Sequence, residues 1–181
     1  MRKSALVALL ALSVAAACNG SRRSAIAGRL EARWTGADTG RMAAASSAEW
    51  CADRRVLEIR AIQGDTGLAL ALYPLDTIEA DTYRVVQQET PDSTAPSAGV
   101  ALRLFASNAV QGYQGDSGNV VLQQSKSGAV SGTLEARARS VVNGQQLRLS
   151  GKFRDVVVAP QSRGCGPAPD DTNASPGTDV D

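Results

Sequence analysis

The sequence contains no histidine, and this absence excludes several kinds of chemistry at once. Without an imidazole, the chain cannot form a Ser-His-Asp triad, a Cys-His pair, a histidine-ligated metal site or a histidine pH switch. Aromatic residues are also scarce, at 4% of the chain, so aliphatic side chains and alanine must supply most of any core. We therefore expect a protein that is not an enzyme and that uses no cofactor and no metal.

Neither sign of charge is in large excess, since 19 lysines and arginines face 18 acidic residues and the net charge is +1. A general nucleic-acid binder carries a strongly basic footprint, so we expect no nucleic-acid partner. Hydrophobic residues make up 43% and charged residues 20% of the 181 residues. This composition is typical of one folded domain with tails.

The first 17 residues have the order of a secretory signal. A positive start at residues 1–3 precedes an apolar run over 5–14, three alanines at 15–17 and then Cys18. The apolar stretch over 5–17 has 13 residues. That is too short to cross about 30 Å of hydrocarbon as a helix. The sequence therefore predicts a signal peptide over residues 1–17 that is cleaved from the mature chain.

The segment Ala15-Ala16-Ala17-Cys18 resembles the lipobox of bacterial lipoproteins. In that family the cysteine thiol receives a diacylglycerol, the signal is cut just before it, and the new amino terminus is usually acylated. Ala15 stands where the family prefers leucine, and an ordinary signal cut after Ala17 would instead leave Cys18 as a thiol. The resemblance implies a lipoprotein held at a membrane through an acyl anchor at Cys18.

The same resemblance implies a location in the cell envelope. An aspartate after the lipidated cysteine is the family's usual signal for retention at the inner membrane, and here Asn19 stands in that place. We therefore expect an anchor in the outer membrane, with the protein facing the periplasm or the cell surface, in an organism that has such a membrane.

The mature chain divides by composition into three parts. Residues 18–27 predict a lipidated cysteine and a polar tether, residues 28–167 a single β-domain, and residues 168–181 a disordered acidic tail. Cys51 and Cys165 are the two remaining cysteines, and an oxidising compartment favours a disulfide between them. That bond would close a loop of 115 residues. The alternative is two unpaired thiols.

A hydrophobic period of two dominates the sequence between residues 29 and 158, which is typical of half-buried antiparallel strands. The alternation is clear over 29–34, 57–61, 68–72, 100–104, 130–138 and 147–154, and weaker over 83–88 and 119–124. Turn signals such as Asn143-Gly144 separate these runs. We predict an all-β fold, an antiparallel β-sandwich or small β-barrel of about eight strands, with bulky core residues Trp34, Trp50, Tyr73 and Phe153.

Two segments suggest other local structures. The alanine-rich stretch over 40–48 predicts a short helix. Gly115-Asp116-Ser117-Gly118 matches the tetrapeptide around the nucleophile of trypsin-like serine proteases, but no histidine is present to take the serine proton. Because a similar segment surrounds Asp65, we interpret both as hairpin turns, with Asp65 and Asp116 as turn formers rather than calcium ligands.

Several cations occupy the outward positions of the predicted strands: Arg33, Arg60, Arg103, Arg137, Arg148, Lys152 and Arg154. If their strands are neighbours, they form a basic face that could meet lipopolysaccharide, anionic lipid or an acidic polymer. Glu31, Glu58 and Glu135 share those faces, and this favours cross-strand ion pairing instead.

These observations predict a non-catalytic binding or structural module of the cell envelope. Its protein partner or small ligand is not identified by the sequence. The alternative is a lipocalin-like carrier whose sheet closes over a cavity for a small apolar ligand.

Overall fold

The computed structural model describes residues 28–87, 94–106, 109–124 and 128–159. Within these ranges the chain forms nine strands and one 3-10 turn at Ala52–Arg54. None of the described segments is a helix long and apolar enough to span a membrane. The strands are β1 (Arg29–Gly36), β2 (Gly40–Cys51), β3 (Val56–Gln63), β4 (Thr66–Tyr73), β5 (Thr82–Val85), β6 (Ser97–Ala106), β7 (Ala109–Gln124), β8 (Ala129–Ser140) and β9 (Gln146–Ala159).

The strands form one sheet that closes into a barrel in the order β1-β2-β3-β4-β6-β5-β7-β8-β9. Closure comes from antiparallel pairing of the first and last strands, from Arg29 opposite Arg154 to Gly36 opposite Leu147. The short strand β5 pairs with both β6 and β7, which also pair directly with each other. The predicted all-β class is confirmed, and the sheet takes the barrel form of that prediction.

The registers define two ends of the barrel. The turns that join β1 to β2, β3 to β4 and β8 to β9 lie at one end, here called the distal end. Gly28, the β2–β3 connection and Ala159 lie at the other, the proximal end, where Ala159 pairs with Glu49 in a short parallel contact between β9 and β2. The chain therefore enters and leaves the described barrel at the same end.

Inward-facing side chains fill the interior of the barrel. Trp34 and Phe153 are 5% and 1% exposed, as the sequence predicts, while Trp50 only packs against the edge of the core. Tyr83 and Tyr113 are buried without having been predicted, and Tyr73 is half-buried. Burying a large apolar side chain stabilises a fold by about 1.5–3 kcal/mol, so this interior is the main source of stability.

The helix predicted over 40–48 is wrong, because these residues belong to strand β2. Met42 and Ala48 face the core, and the strand pairs with β1 on one side and β3 on the other. Two ladders of hydrogen bonds and burial of one face outweigh the modest helix propensity of alanine.

The hairpin turn predicted at residues 115–118 is also wrong, because the segment lies inside strand β7, at a bulge between Gly115 and Ser117. Asp116 is therefore not a turn former, and its carboxylate lies 3.7 Å from the Arg139 guanidinium. Gly118 has a φ of +122°, and a Cβ there would lie 2.1 Å from the carbonyl oxygen of Glu135. Only glycine permits this approach of β7 to β8. Asp65, by contrast, does lie in the β3–β4 turn.

Candidate functional site

Closure of the barrel brings three of the predicted outward cations together on adjacent strands. Strands β8, β9, β1 and β2 are consecutive in the ring, and one exposed arginine from each lies in a line across the outer face, apart from Arg29, Arg139 and Arg154 on the same strands. These four residues, called here the arginine band, are Arg137, Arg148, Arg33 and Arg41. Arg41 was not predicted as a member, because its segment reads as a helix in the sequence.

The strand registers fix the order of the band. Arg137 is directly opposite Arg148, and Arg33 is directly opposite Arg41. Arg148 is also opposite Thr35, two residues from Arg33 on the same strand, so the two pairs are diagonal neighbours. Adjacent strands lie about 4.8 Å apart, and the band therefore extends about 14 Å across four strands.

Two adjoining grooves on the outer surface are lined in part by the arginine band. The first has a volume of about 670 Å³, and its lining includes Arg33, Arg137 and Arg148. The second, of about 510 Å³, includes Arg33 and Arg41, and the two grooves share Arg33, Glu135 and Ser150. Hydroxyl groups of serine and threonine lie among the guanidinium groups, so the surface offers both charged and neutral hydrogen-bond donors.

The arginine band has no acidic partner in the described part of the chain. No ion pair within 4.0 Å there includes any of its four guanidinium groups, and the Arg33 Nε donates to the Ser150 Oγ at 3.2 Å. Like charges directly opposite each other destabilise a sheet. The band therefore opposes folding slightly, and its forked donors remain available to an anion.

Cross-strand and same-strand ion pairing does account for the other basic residues nearby. The Lys152 Nζ lies 3.0 Å from the Glu31 Oε2, and this hydrogen bond lowers the pKa of Glu31. Arg60 pairs with Glu58. The predicted cross-strand pairing is thus found at Glu31, while Glu58 pairs within its own strand. Glu135 makes no ion pair within 4.0 Å among the described residues, so the arginine band is left unpaired there.

A different groove lies on the far side of the barrel, over β3, β4, β6 and β7, with a volume of about 660 Å³. Its floor consists mainly of alanine and glycine, and its walls include Ile62, Val110 and Val141, which are 67%, 58% and 67% exposed. Arg103 stands in this groove, so it is not part of the arginine band. Arg154 lies near the proximal end, opposite Arg29.

Of the other predicted residues, Ser117 pairs with Arg137 and lines the first groove, whereas Cys51 lies away from the arginine band. Cys51 is 2% exposed at the end of β2, whereas Cys18, Cys165, the tether and the acidic tail lie outside the described residues. Across 28–87, 94–106, 109–124 and 128–159, no three acidic, cysteine or histidine side chains come together in a way that could hold a metal ion. Ser117 has an aspartate as its hydroxyl partner, the Asp116 Oδ1 at 2.9 Å.

Comparison with known proteins adds no family to this description. No family model matches the chain, and no curated protein and no solved structure matches it significantly. The function must therefore be inferred from the residues of the chain itself.

Proposed function

We propose that the protein is an exported, lipid-anchored component of the cell envelope whose barrel binds an anionic ligand without catalysis. The observation that carries the proposal is the arginine band, in which four exposed guanidinium groups on consecutive strands lack acidic partners among the described residues. Arginine binds carboxylates and phosphates through paired hydrogen bonds, so such groups are the expected contacts of the ligand.

The positions of the chain ends support an anchored orientation. Gly28 lies at the proximal end, ten residues after the proposed lipidated Cys18. A flexible tether of ten residues spans about 17 Å, enough to lift the barrel from a lipid surface. In this orientation the proximal end faces the membrane, and Arg137 and Arg148, near the distal end, stay accessible. The anchor lies in the outer membrane under the proposal.

A disulfide between Cys51 and Cys165 is part of the same proposal. Strand β9 ends at Ala159, which pairs with Glu49 only two residues before Cys51. Cys165 follows six residues later, and six residues reach at most about 20 Å. This length is sufficient for Cys165 to meet Cys51, in a compartment that favours oxidation.

A carrier of a small apolar ligand is the second candidate function. The interior of the barrel is occupied by buried side chains, so the observation that favours a carrier is the apolar groove over β3, β4, β6 and β7. An acyl chain or another apolar molecule would lie there against alanine and glycine. We rank this function second because the groove is open along the outer surface.

The acyl anchor has a direct test in intact mass. Wild-type protein extracted from membranes should be heavier than the polypeptide 18–181 by the mass of two or three acyl chains with their glycerol. The full-length Cys18→Ser variant should lack this mass and should leave the membrane fraction. An unmodified mass for membrane-extracted wild-type protein contradicts the anchor.

Anion binding has a test in a single substitution. We expect pyrophosphate to bind the wild-type protein at low salt, and Arg148→Gln to weaken the affinity at least about 10-fold in calorimetric titrations. The matched control is Arg84→Gln, which removes the same charge from an exposed position on β5, away from the arginine band. Equal losses in the two variants would mean that only net charge matters, and this would exclude the arginine band as the binding site.

A further inference from the structure

The layout of the arginine band determines what shape of anion it fits. A pocket for one small anion directs its donors to a single point, whereas these four arginines are spread over about 14 Å on four strands of an outer surface. The two grooves that they line are open and run into each other through Arg33 and Ser150. An extended ligand can use all four guanidinium groups, and a compact one can use only a neighbouring pair.

Two glutamates lie beside the arginine band, and Glu135 lines both of its grooves. Glu135 lies two residues from Arg137 on β8, and Glu31 lies two residues from Arg33 on β1, both toward the proximal end. Glu31 is ion-paired with Lys152 and Arg29. Glu135 lies level with Ser150 and Arg33, and its carboxylate repels an anion that extends along β8 toward the proximal end. The four arginines therefore lie along a path that crosses the strands from β8 to β2.

Among the described residues, the path offers charge and hydroxyl groups but no exposed aromatic ring. Trp34 is the single aromatic residue that lines either groove in the described part of the chain, and it is 5% exposed. Single-stranded nucleic acids are usually held by bases stacked on exposed aromatic rings. A ligand recognised here is held mainly by its repeated anionic groups, with hydrogen bonds from the hydroxyl groups and without base stacking.

We propose, on the basis of the anionic-ligand function above, that the arginine band binds a linear polyanion laid across strands β8, β9, β1 and β2. The repeating group is a phosphate or a carboxylate, since a guanidinium pairs with either in the same forked geometry. Arg137 and Arg148 hold one stretch of the polymer, and Arg33 and Arg41 hold the next. Affinity therefore grows with ligand length until the polymer crosses all four strands.

The test compares pyrophosphate with polyphosphate long enough to cross four strands, on the full chain at fixed ionic strength. Wild-type protein should bind the long chain at least about 10-fold more tightly than pyrophosphate. In Arg33→Gln/Arg41→Gln, pyrophosphate should still bind at Arg137 and Arg148, while the advantage of the long chain should disappear. The control Arg84→Gln/Arg154→Gln loses the same charge and should retain that advantage.

The outcomes separate this inference from the proposed function. If pyrophosphate binds but the wild-type protein shows no preference for length, or if the first double variant keeps that preference, the polyanion inference is wrong and the anion site stands. If neither probe nor oligogalacturonate binds the wild-type protein, the proposed function itself fails. Oligogalacturonate binding with the same dependence on Arg33 and Arg41 supports the inference and identifies a carboxylate polymer. If polyphosphate binds with this dependence and oligogalacturonate does not bind, the polyanion inference is supported and the ligand is identified as a phosphate polymer.

Discussion

Replacing Cys165 with serine should lower the free energy of unfolding by about 4–5 kcal/mol, the contribution expected in the chain-entropy model for a disulfide that closes a long loop. The proposed bond to Cys51 encloses 115 residues, which is most of the barrel. Its loss leaves the folded contacts in place and enlarges the freedom of the unfolded chain. Urea denaturation of oxidised protein measures this change directly.

Cys18→Ser provides the matched control, since it also removes a thiol but lies before the barrel. We expect the Cys18→Ser protein to unfold at the urea concentration of an unacylated wild-type sample. Reduction of the wild-type protein should reproduce the loss seen in the Cys165→Ser variant. Equal stability of the two cysteine variants under oxidising conditions would show that Cys51 and Cys165 are not joined.

Phe153→Ala should cost about 3–5 kcal/mol of stability, because it opens a cavity in a closed interior. Phe153 is 1% exposed on β9, and its ring lies over Gly132, where a Cβ would come within 2.5 Å of the ring Cζ. The glycine opposite provides the space that the ring fills. Neighbouring strands are held in register by β8–β9 pairing and cannot collapse fully into the vacancy.

The second phenylalanine of the chain serves as the control for this prediction. Phe105 lies on β6 and is 50% exposed, so Phe105→Ala should change the free energy of unfolding by less than about 1 kcal/mol. Both variants can be compared by thermal unfolding followed by circular dichroism. A loss at Phe153 no larger than that at Phe105 would contradict a tightly filled interior.

Most strands were predictable because their alternation is strong. In β8 and β9, leucines, valines and a phenylalanine alternate with arginines, serines and glutamate, so the two faces differ sharply in polarity. Local sequence also set the turn between them, through Asn143 and Gly144. Local sequence could not distinguish a sandwich from a barrel, because the difference depends on whether β1 pairs with β9.

The misread segments have weak contrast between their two faces. Strand β2 alternates in burial, but alanine and serine occupy both faces and hide the period. In the first half of β7, Gly115 takes an inward position where a Cβ would lie 2.8 Å from Val85. In the sequence, a glycine at such a position suggests a turn. In the barrel, it allows the backbone to lie close to a neighbouring side chain.

The candidate site could be predicted only in part from the sequence, for the same physical reasons. Arg137 and Arg148 follow from the β8–β9 hairpin, whose register the turn fixes. Arg33 joins them only because the ring closes, a contact between residues more than 100 positions apart in the chain. Arg41 was hidden by the helix prediction. Local pattern therefore predicts which side chains face outward, while long-range pairing decides which of them meet.

Under the proposed export, the seam between β1 and β9 has a consequence for secretion. An exported polypeptide emerges amino-terminus first, so β1 arrives early, yet eight of its residues await partners between Leu147 and Arg154. Until those partners cross the membrane, the nascent sheet has two open edges that can recruit other chains. We expect the unfinished barrel to need a holding factor during translocation, and truncations that end before residue 146 to aggregate rather than fold.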